Sequence, residues 1–366
     1  MDLQSRRSVE EHVAEPPHHW GIGDPQTTFA RFQAVLEARG LLDDDGRLSA
    51  NQHLLAVGDY FDFPPPKGMS LVEAGEQGVS ILQWLAQYPA GRVPILMGNH
   101  DAARVMELSG ISDTRFAEAR RQAEVLDDEA FCLRFPSIPT RGLARRDFSG
   151  FSERQRGCVQ RLLTSGRMKL AQAVRLQDGR TCLVTHAGVT RWVLTQLGML
   201  RARDPQRIAG ALNGLLSARV AEVAADWAAG RVRPLDLGPI HRPGTSGVEG
   251  GGLLYHRMAE TLDDWSASGP APRRFLPGDV PEGLLQAVGH TQHKKMVELL
   301  PEHVFREAAD AGQLRRAVFD AGLDYGGGVD AGDAATVMWF FDGGLHFAPP
   351  SDIELMPFSA FLPDRP

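Results

Sequence analysis

Cysteine is scarce in this chain. Cys132, Cys158 and Cys182 stand among 366 residues and show no paired spacing. A disulfide framework is therefore not expected, and a reducing cytoplasm is the expected setting. No apolar run approaches the length that a membrane span needs. The stretch Met1 to Pro17 is charged and has no apolar h-region, so a secretory signal is not expected either. Positive charge is not in excess: the net charge is −7, with both signs mixed along the chain. That argues against a nucleic-acid backbone as the main partner. Small anionic substrates stay open, because a bound dication inverts the local sign. With no internal repeat and no convincing linker, residues 1–366 read as one domain.

What is present is an ordinary soluble composition, 43% hydrophobic and 23% charged. Within it, five apolar runs each end on a polar residue able to act as a ligand. They are Trp20-Gly21-Ile22-Gly23-Asp24-Pro25-Gln26, Leu54-Leu55-Ala56-Val57-Gly58-Asp59-Tyr60-Phe61-Asp62, Val93-Pro94-Ile95-Leu96-Met97-Gly98-Asn99-His100-Asp101, Cys182-Leu183-Val184-Thr185-His186-Ala187-Gly188 and Ala287-Val288-Gly289-His290-Thr291-Gln292-His293. A buried strand that ends on glycine and a polar side chain delivers that side chain to the rim of a sheet. Five such ends imply one shared metal site.

Between them the chain reads as follows. Residues 1–16 are polar and expected to be loosely held. A short strand near Trp20–Gly23 precedes a helix capped by Thr27 or Thr28, carrying Phe29, Phe32, Val35 and Leu36 and stopping at Arg39-Gly40. Asp43-Asp44-Asp45-Gly46 is a turn, strand two covers Leu54–Val57, and Phe63–Gly68 is a proline-rich loop. A helix over Leu71–Tyr88 and a strand over Arg92–Met97 complete a β-α-β-α-β opening, which favours a parallel sheet packed with helices. Beyond Asp101 the pattern turns helical: Ala102–Leu108, then a charged helix over Thr114–Cys132. Residues 136–164 show no clean period. Ala173–Leu176 and Thr181–Val184 make a hairpin around Asp178-Gly179. Residues 190–230 are mostly helical, 234–252 are loop, and a strand at 284–288 leads into a helix reaching about Gly322. Ala335–Phe341 and Leu345–Ala348 read as a closing hairpin. Segments 110–165 and 195–275 read as cap insertions that shape a pocket, and Arg141, Arg145 and Arg146 in the first read as a solvated charged face. Asp204-Pro205-Gln206 repeats the letters of the first motif, but it follows no apolar run and reads as a helix start.

The candidate ligands in order are Asp24, Gln26, Asp59, Asn99, His186 and His290, with His293 a weaker one. Carboxylate, amide oxygen and imidazole together suit borderline to hard divalent ions such as Mn²⁺, Fe²⁺ or Zn²⁺, and no cysteine lies among them. Two ions close together need a shared ligand, for which the Asp59 carboxylate is the central candidate. Such a pair activates a bridging hydroxide and clamps a phosphoryl oxygen for in-line attack.

Taken together, the Gly23-Asp24-Pro25-Gln26, Gly58-Asp59-Tyr60-Phe61-Asp62, Gly98-Asn99-His100-Asp101, Thr185-His186-Ala187-Gly188-Val189 and Val288-Gly289-His290-Thr291 segments resemble the motifs of calcineurin-like metallophosphoesterases, in that family's order, with the bacterial phosphoprotein-phosphatase branch the nearest in character. The resemblance implies an α/β fold of four layers, α/β/β/α, in which two mixed β-sheets are flanked by helices. It implies two divalent ions, Mn²⁺ foremost, with Asp24 and Asp59 on the first, Asp59 shared, and Asn99, His186 and His290 on the second. His100 is implied to assist the leaving group, oriented by Asp62, and Asn99 to touch substrate as well. The activity implied is hydrolysis of phosphate monoesters on a small molecule or a phosphoprotein. Dinucleoside polyphosphate or phosphodiester hydrolysis is the alternative, and a degenerate metal- or phosphate-binding protein is the alternative outside enzymes.

The chain also departs from the family pattern. Gln26 stands where the first motif usually has histidine, and Gln292 stands where many relatives have a last histidine. Phe63 follows Asp62 where the branch expects a phosphate-gripping arginine. Arg257, in Leu253-Leu254-Tyr255-His256-Arg257, resembles the branch's other phosphate-binding arginine and is the expected replacement.

Overall fold

The computed structural model describes residues 16–147, 150–305 and 311–365. The polar stretch at residues 1–16 therefore lies, apart from Pro16, outside the described residues. In chain order the opening elements are β1 (His18–Ile22), α1 (Phe29–Ala38), β2 (Gln52–Ala56), α2 (Leu71–Ala86), β3 (Ile95–Leu96) and α3 (Asn99–Val105). Thr28 caps α1 by accepting the Arg31 N–H, and a reciprocal Ser70–Glu73 box caps α2. Next come α4 (Asp113–Gln122), α5 (Asp128–Arg134), α6 (Glu153–Thr164), β4 (Met168–Lys169), β5 (Ala171–Arg175), β6 (Thr181–Thr185), α7 (Arg191–Gln196) and α8 (Pro205–Ala228). Two short ribbons follow, β7 (His241–Arg242) with β8 (Gly251–Gly252), and β9 (Arg257–Met258) with β10 (Arg274–Phe275), the latter flanking α9 (Asp264–Ser268). The chain ends through β11 (Leu285–Val288), α10 (His293–Leu299), β12 (Arg315–Val318), β13 (Asp324–Gly327), β14 (Val337–Phe340), β15 (Met356–Phe358) and β16 (Ala360–Leu362).

These strands build two large mixed sheets. One has the order β15-β1-β2-β3-β4, parallel from β1 to β4 with β15 antiparallel on its edge. The other has the order β13-β12-β14-β11-β6-β5-β16, with β14, β11 and β6 parallel at its centre. Side-chain alternation sets the layers. Leu55, Val57 and Leu96 of the first sheet share a buried cluster with Val174, Cys182, Val184, Leu285, Ala287, Val337 and Trp339 of the second, so the sheets pack face to face. On the outer face of the first sheet, Leu54, Ala56 and Ile95 meet α1 and α2. Outside the second sheet, Ala171, Ala173 and Leu183 meet α8, while Val288, Met338 and Phe340 meet α10. The result is the expected α/β/β/α sandwich.

Local readings diverge from the structure in five places. The charged helix expected over 114–132 is two helices, because Asp127 accepts the Ala130 N–H at 2.8 Å and starts a new one. The stretch 136–164 holds α6, which packs on α2, α3 and α8. Its start signal, a Ser152–Gln155 capping box, was present in the sequence. The helix expected to reach Gly322 ends at Leu299, before Pro301, and the chain returns as β12 and β13. Leu345–Ala348 is a turn rather than a strand, since Phe347 N–H bonds to Gly344 O; β15 and β16 supply the closing pairs instead. Finally, α8 is long and apolar enough by composition to cross a membrane, although its Ile208, Leu212 and Leu216 are buried in the core shared with β5 and β6.

A separate small core, with Leu108, Phe116, Phe131, Phe135, Ile138 and Phe151 among its members, lies within Ala103–Phe151, where the first cap insertion was expected. On it Arg141 pairs with Asp128 and Arg145 with Glu124, as a solvated charged face does. The Asp204–Gln206 segment is the start of α8, with Asp204 as cap and Pro205 in the first turn.

Candidate active site

Parallel strands point their C-terminal ends to one rim, and both sheets do so here on the same side. From the first sheet β1 leads to Asp24, β2 to Asp59 and β3 to Asn99; from the second, β6 leads to His186 and β11 to His290. All five side chains are buried or nearly so. The loops approach one another closely enough that side chains are excluded at two glycines. A Cβ on Gly98 would collide with the Asp59 carboxylate, and one on Gly289 with the Asp24 carboxylate.

The backbone at the rim is strained. Among the described residues, the non-glycine residues with left-handed φ are Asp59 (59°), Asp62 (66°) and His290 (60°). Each such residue costs about 1–3 kcal/mol unless its surroundings over-determine it. At Asp59 and Asp62 the surroundings can be named. Asp101 accepts the N–H groups of Asp59 (2.8 Å), Gly98 (2.8 Å) and Tyr60 (3.2 Å), and so ties the Asp59 loop to the start of α3. Arg104 forks onto Asp62. His290 donates its N–H to both oxygens of Asp24.

His186 is the centre of the cluster of candidate ligands. Its Nδ1 lies 3.1 Å from the Val57 carbonyl, which can only accept, so Nδ1 carries a proton, and a ring that binds a metal presents its lone pair at Nε2. That lone pair faces Asn99 Oδ1 at 3.1 Å, His290 Nδ1 at 3.2 Å and Asp59 Oδ2 at 3.4 Å. Ligand atoms of Asp59, His186 and His290 lie within 4.8 Å of one another. His290 Nε2 is buried with no hydrogen-bond partner among the described residues. A carboxylate oxygen and an amide oxygen bring no proton to an imidazole lone pair, so this donor set fits a borderline divalent cation.

Asp24 is buried beside Asp59 and Asp342. Burial first, then the charges of those two carboxylates, push its pKa well above the usual range. Asp59 is held low, at about 2: burial would raise it, but His186 and His100 outweigh that. Gln26 donates its amide N–H to the Phe61 carbonyl at 3.0 Å, which ties it to the Asp59 loop. His293 turns to a different neighbourhood, stacked on Tyr325 at 5.8 Å and edge-on to Phe305. Arg257, on β9, is near enough for its charge to help lower the pKa of His290, after burial. His241 and His256 are buried; His241 stacks on Tyr255, and His256 Nδ1 donates to the Gly188 carbonyl at 3.1 Å.

Beside the cluster stands a paired acid. His100 Nδ1 lies 2.8 Å from Asp62 Oδ2, while its Nε2 lies 3.9 Å from Asp59 Oδ2. Burial pushes the His100 pKa down, but the Asp59 and Asp62 carboxylates outweigh burial and lift it to about 9. The ring therefore holds a proton at neutral pH and directs one N–H toward the cluster.

Three residues of the site escaped the sequence reading. Asp342 ends the apolar run of β14 in the same manner as the five motifs, yet Asp342-Gly343-Gly344 reads as a turn. Its charge acts on Asp24, and burial with Asp59 raises its own pKa to about 6. Asp101 and Arg104 follow His100 on α3, and only the i, i+4 spacing of His100 and Arg104 hinted that they share a face.

No family model matches the chain, and no curated protein matches it. Solved structures similar to it include the cold-active protein-tyrosine phosphatase of a psychrophilic Shewanella species. The TM-score is 0.39 at 14% identity, over 90% of this chain and 72% of that one. Another structure of a cold-active protein tyrosine phosphatase gives 0.36 at 15% identity over 76% of this chain, which spans 66% of that chain's length, just under two thirds. At such TM-scores the likeness carries no weight for chemistry. The functional reading rests on the site's own residues.

Proposed function

We propose that the chain is a metal-dependent phosphoesterase acting on phosphate monoesters, borne on a small molecule or a phosphoprotein. The observation that carries this reading is the convergence of Asp59, Asn99 and His290 on the His186 Nε2 lone pair, with the protonated His100–Asp62 pair alongside. Two divalent ions, Mn²⁺ foremost, are part of the proposal. Asp24, Asp59 and Gln26 would hold the first; Asp59, Asn99, His186 and His290 would hold the second. When bound, such ions polarise a phosphoryl oxygen and make water a nucleophile at neutral pH. The chain's residues do the rest. Asp62 holds Nδ1–H of His100, so that Nε2–H is offered to the departing oxygen. Arg257, whose charge is felt at His290, would pair with a phosphate. The turns at Gly98 and Gly289 keep the loops close. A cytoplasmic setting belongs to the same proposal and accords with the three free cysteines.

The test is hydrolysis of p-nitrophenyl phosphate by chelator-stripped protein given Mn²⁺, Fe²⁺, Zn²⁺, Mg²⁺ or no metal, with bis-p-nitrophenyl phosphate in parallel. Metal-dependent turnover of the monoester supports the proposal. Turnover of the diester alone moves the assignment to phosphodiester hydrolysis. Binding of metal with no turnover of either ester makes the chain a metal-binding scaffold.

A further inference from the structure

An arginine on a helix ordinarily snorkels toward solvent. Arg104 does the opposite: its side chain and that of Asp62 are both fully buried. Its five N–H groups are all directed inward. Nη1 donates to Asp62 Oδ2 at 2.6 Å and to the His100 carbonyl at 2.9 Å. Nη2 donates to Asp62 Oδ1 at 2.8 Å and to Gln155 Oε1 at 3.1 Å, and Nε donates to Gln155 Oε1 at 3.2 Å. The guanidinium lies 4.8 Å from the Phe61 ring centre. An arginine so engaged has no N–H left for a phosphate.

The network behind it reaches the body of the fold. Gln155 sits in the first turn of α6, where its Oε1 also accepts the Ser152 N–H and its Nε2 donates to the carbonyls of Gly75 and Gly150. Gln155 thereby fixes Arg104 from behind, and Arg104 fixes both oxygens of Asp62. A two-pronged guanidinium–carboxylate contact sets the plane of the carboxylate as well as its position. Asp62 needs that support, because its backbone is left-handed. One oxygen of the clamped carboxylate then meets His100 Nδ1.

We propose that Arg104 is a positioning residue for catalysis, which locks Asp62 in the orientation that aims His100 at the leaving group. The proposal rests on the phosphoesterase reading above. It also separates Arg104 from the phosphate-gripping arginine missing after Asp62: the charge is near the same carboxylate, but it serves the acid rather than the substrate.

The experiment compares phenyl phosphate, whose leaving group needs a proton, with p-nitrophenyl phosphate, whose leaving group scarcely does. Arg104→Gln and Arg104→Lys are each made in the wild-type and His100→Asn backgrounds. For Arg104→Gln in the wild-type background, kcat on phenyl phosphate is expected to fall by ~10²-fold, while kcat on p-nitrophenyl phosphate falls by less than about tenfold and KM stays within about twofold on both. In the His100→Asn background neither variant should lower kcat further. Equal losses on the two substrates, a raised KM on both, or a further loss without His100 would overturn the role. Should Arg104→Gln not fold, Arg104→Lys carries the test, because it keeps the buried charge and lacks the two-pronged contact. A loss selective for phenyl phosphate supports the role, and wild-type rates or equal losses on both esters overturn it. If the wild-type protein turns over neither ester with any metal, the phosphoesterase reading falls and this role falls with it. If only the selectivity is missing, the role of Arg104 falls alone.

Discussion

The backbone N–H of His290 lies 3.0 and 3.1 Å from the two carboxylate oxygens of Asp24, 266 residues earlier in the chain. This contact joins the end of β1 in one sheet to the end of β11 in the other, and Gly289 makes it possible. A methyl group at Gly289 would strike both Asp24 and Val57. Gly289→Ala is therefore expected to destabilise the fold by about 1–3 kcal/mol, the usual range for overpacking. It should also weaken metal retention. Thermal melts with and without Mn²⁺ check both; an unchanged melting temperature would show that the two sheets can part at this point at no cost.

His100 and Asp62 are expected to matter for rate rather than for metal. His100→Asn should lower kcat on phenyl phosphate by ~10²–10⁴-fold, as the loss of a general acid does, and leave the metal content unchanged. Asp62→Asn should lower kcat in the same direction. Metal analysis alongside steady-state kinetics decides; a His100→Asn protein that loses its metal would make His100 a ligand instead.

Metal binding itself should appear as stability. A ligand at a hundred times its dissociation constant stabilises the folded state by about 2.7 kcal/mol. Mn²⁺ is thus expected to raise the melting temperature of the stripped wild-type protein. The same addition should have little effect on Asp59→Ala or His186→Ala, which lose the carboxylate or the lone pair at the centre of the cluster. Equal shifts in all three proteins would place the ion elsewhere.

The charge on His100 sets a pH dependence in the metal-free protein. Its folded pKa is about 9 against an ordinary value of 6.5: burial opposes the rise, and Asp59 and Asp62 outweigh it. Below pH 6.5 the ring is protonated in the folded and unfolded chains alike, and the ion pairs contribute fully. Between 6.5 and about 9 only the folded chain keeps the proton, so stability falls as pH rises, and the contribution is gone above 9. The difference in urea midpoint between wild type and His100→Asn should shrink over that window. A difference that stays constant from pH 6 to 10 would mean that the carboxylates do not hold the proton.

Much of the site was legible because each ligand follows a local rule. An apolar run that ends on a polar residue, often behind a glycine, is a strand end, whichever sheet it joins, and the candidate ligands Asp24, Asp59, Asn99, His186 and His290 all obey it. The same rule applied to Val337–Asp342 would have found Asp342, had the two glycines after it not read so readily as a hairpin turn. Gln155 could be read as a helix cap partner, yet nothing local says that its side chain holds an arginine from another helix.

The sequence by itself determined the order of the strand ends, the kinds of ligand they carry and the β-α-β-α-β opening, since alternation, capping and turn chemistry act between near neighbours. Tertiary structure alone decided that β12 forms where a helix was expected, that β15 and β16 close the edges of the sheets, and that Arg104 faces inward to clamp Asp62. β12 needs β14 as well as its hairpin partner, β15 and β16 pair with β1 and β5 from the other end of the chain, and Asp62 meets Arg104 across 42 positions. No local preference encodes them. They follow from which surfaces meet when two sheets pack, and from the need of each buried charge for a partner.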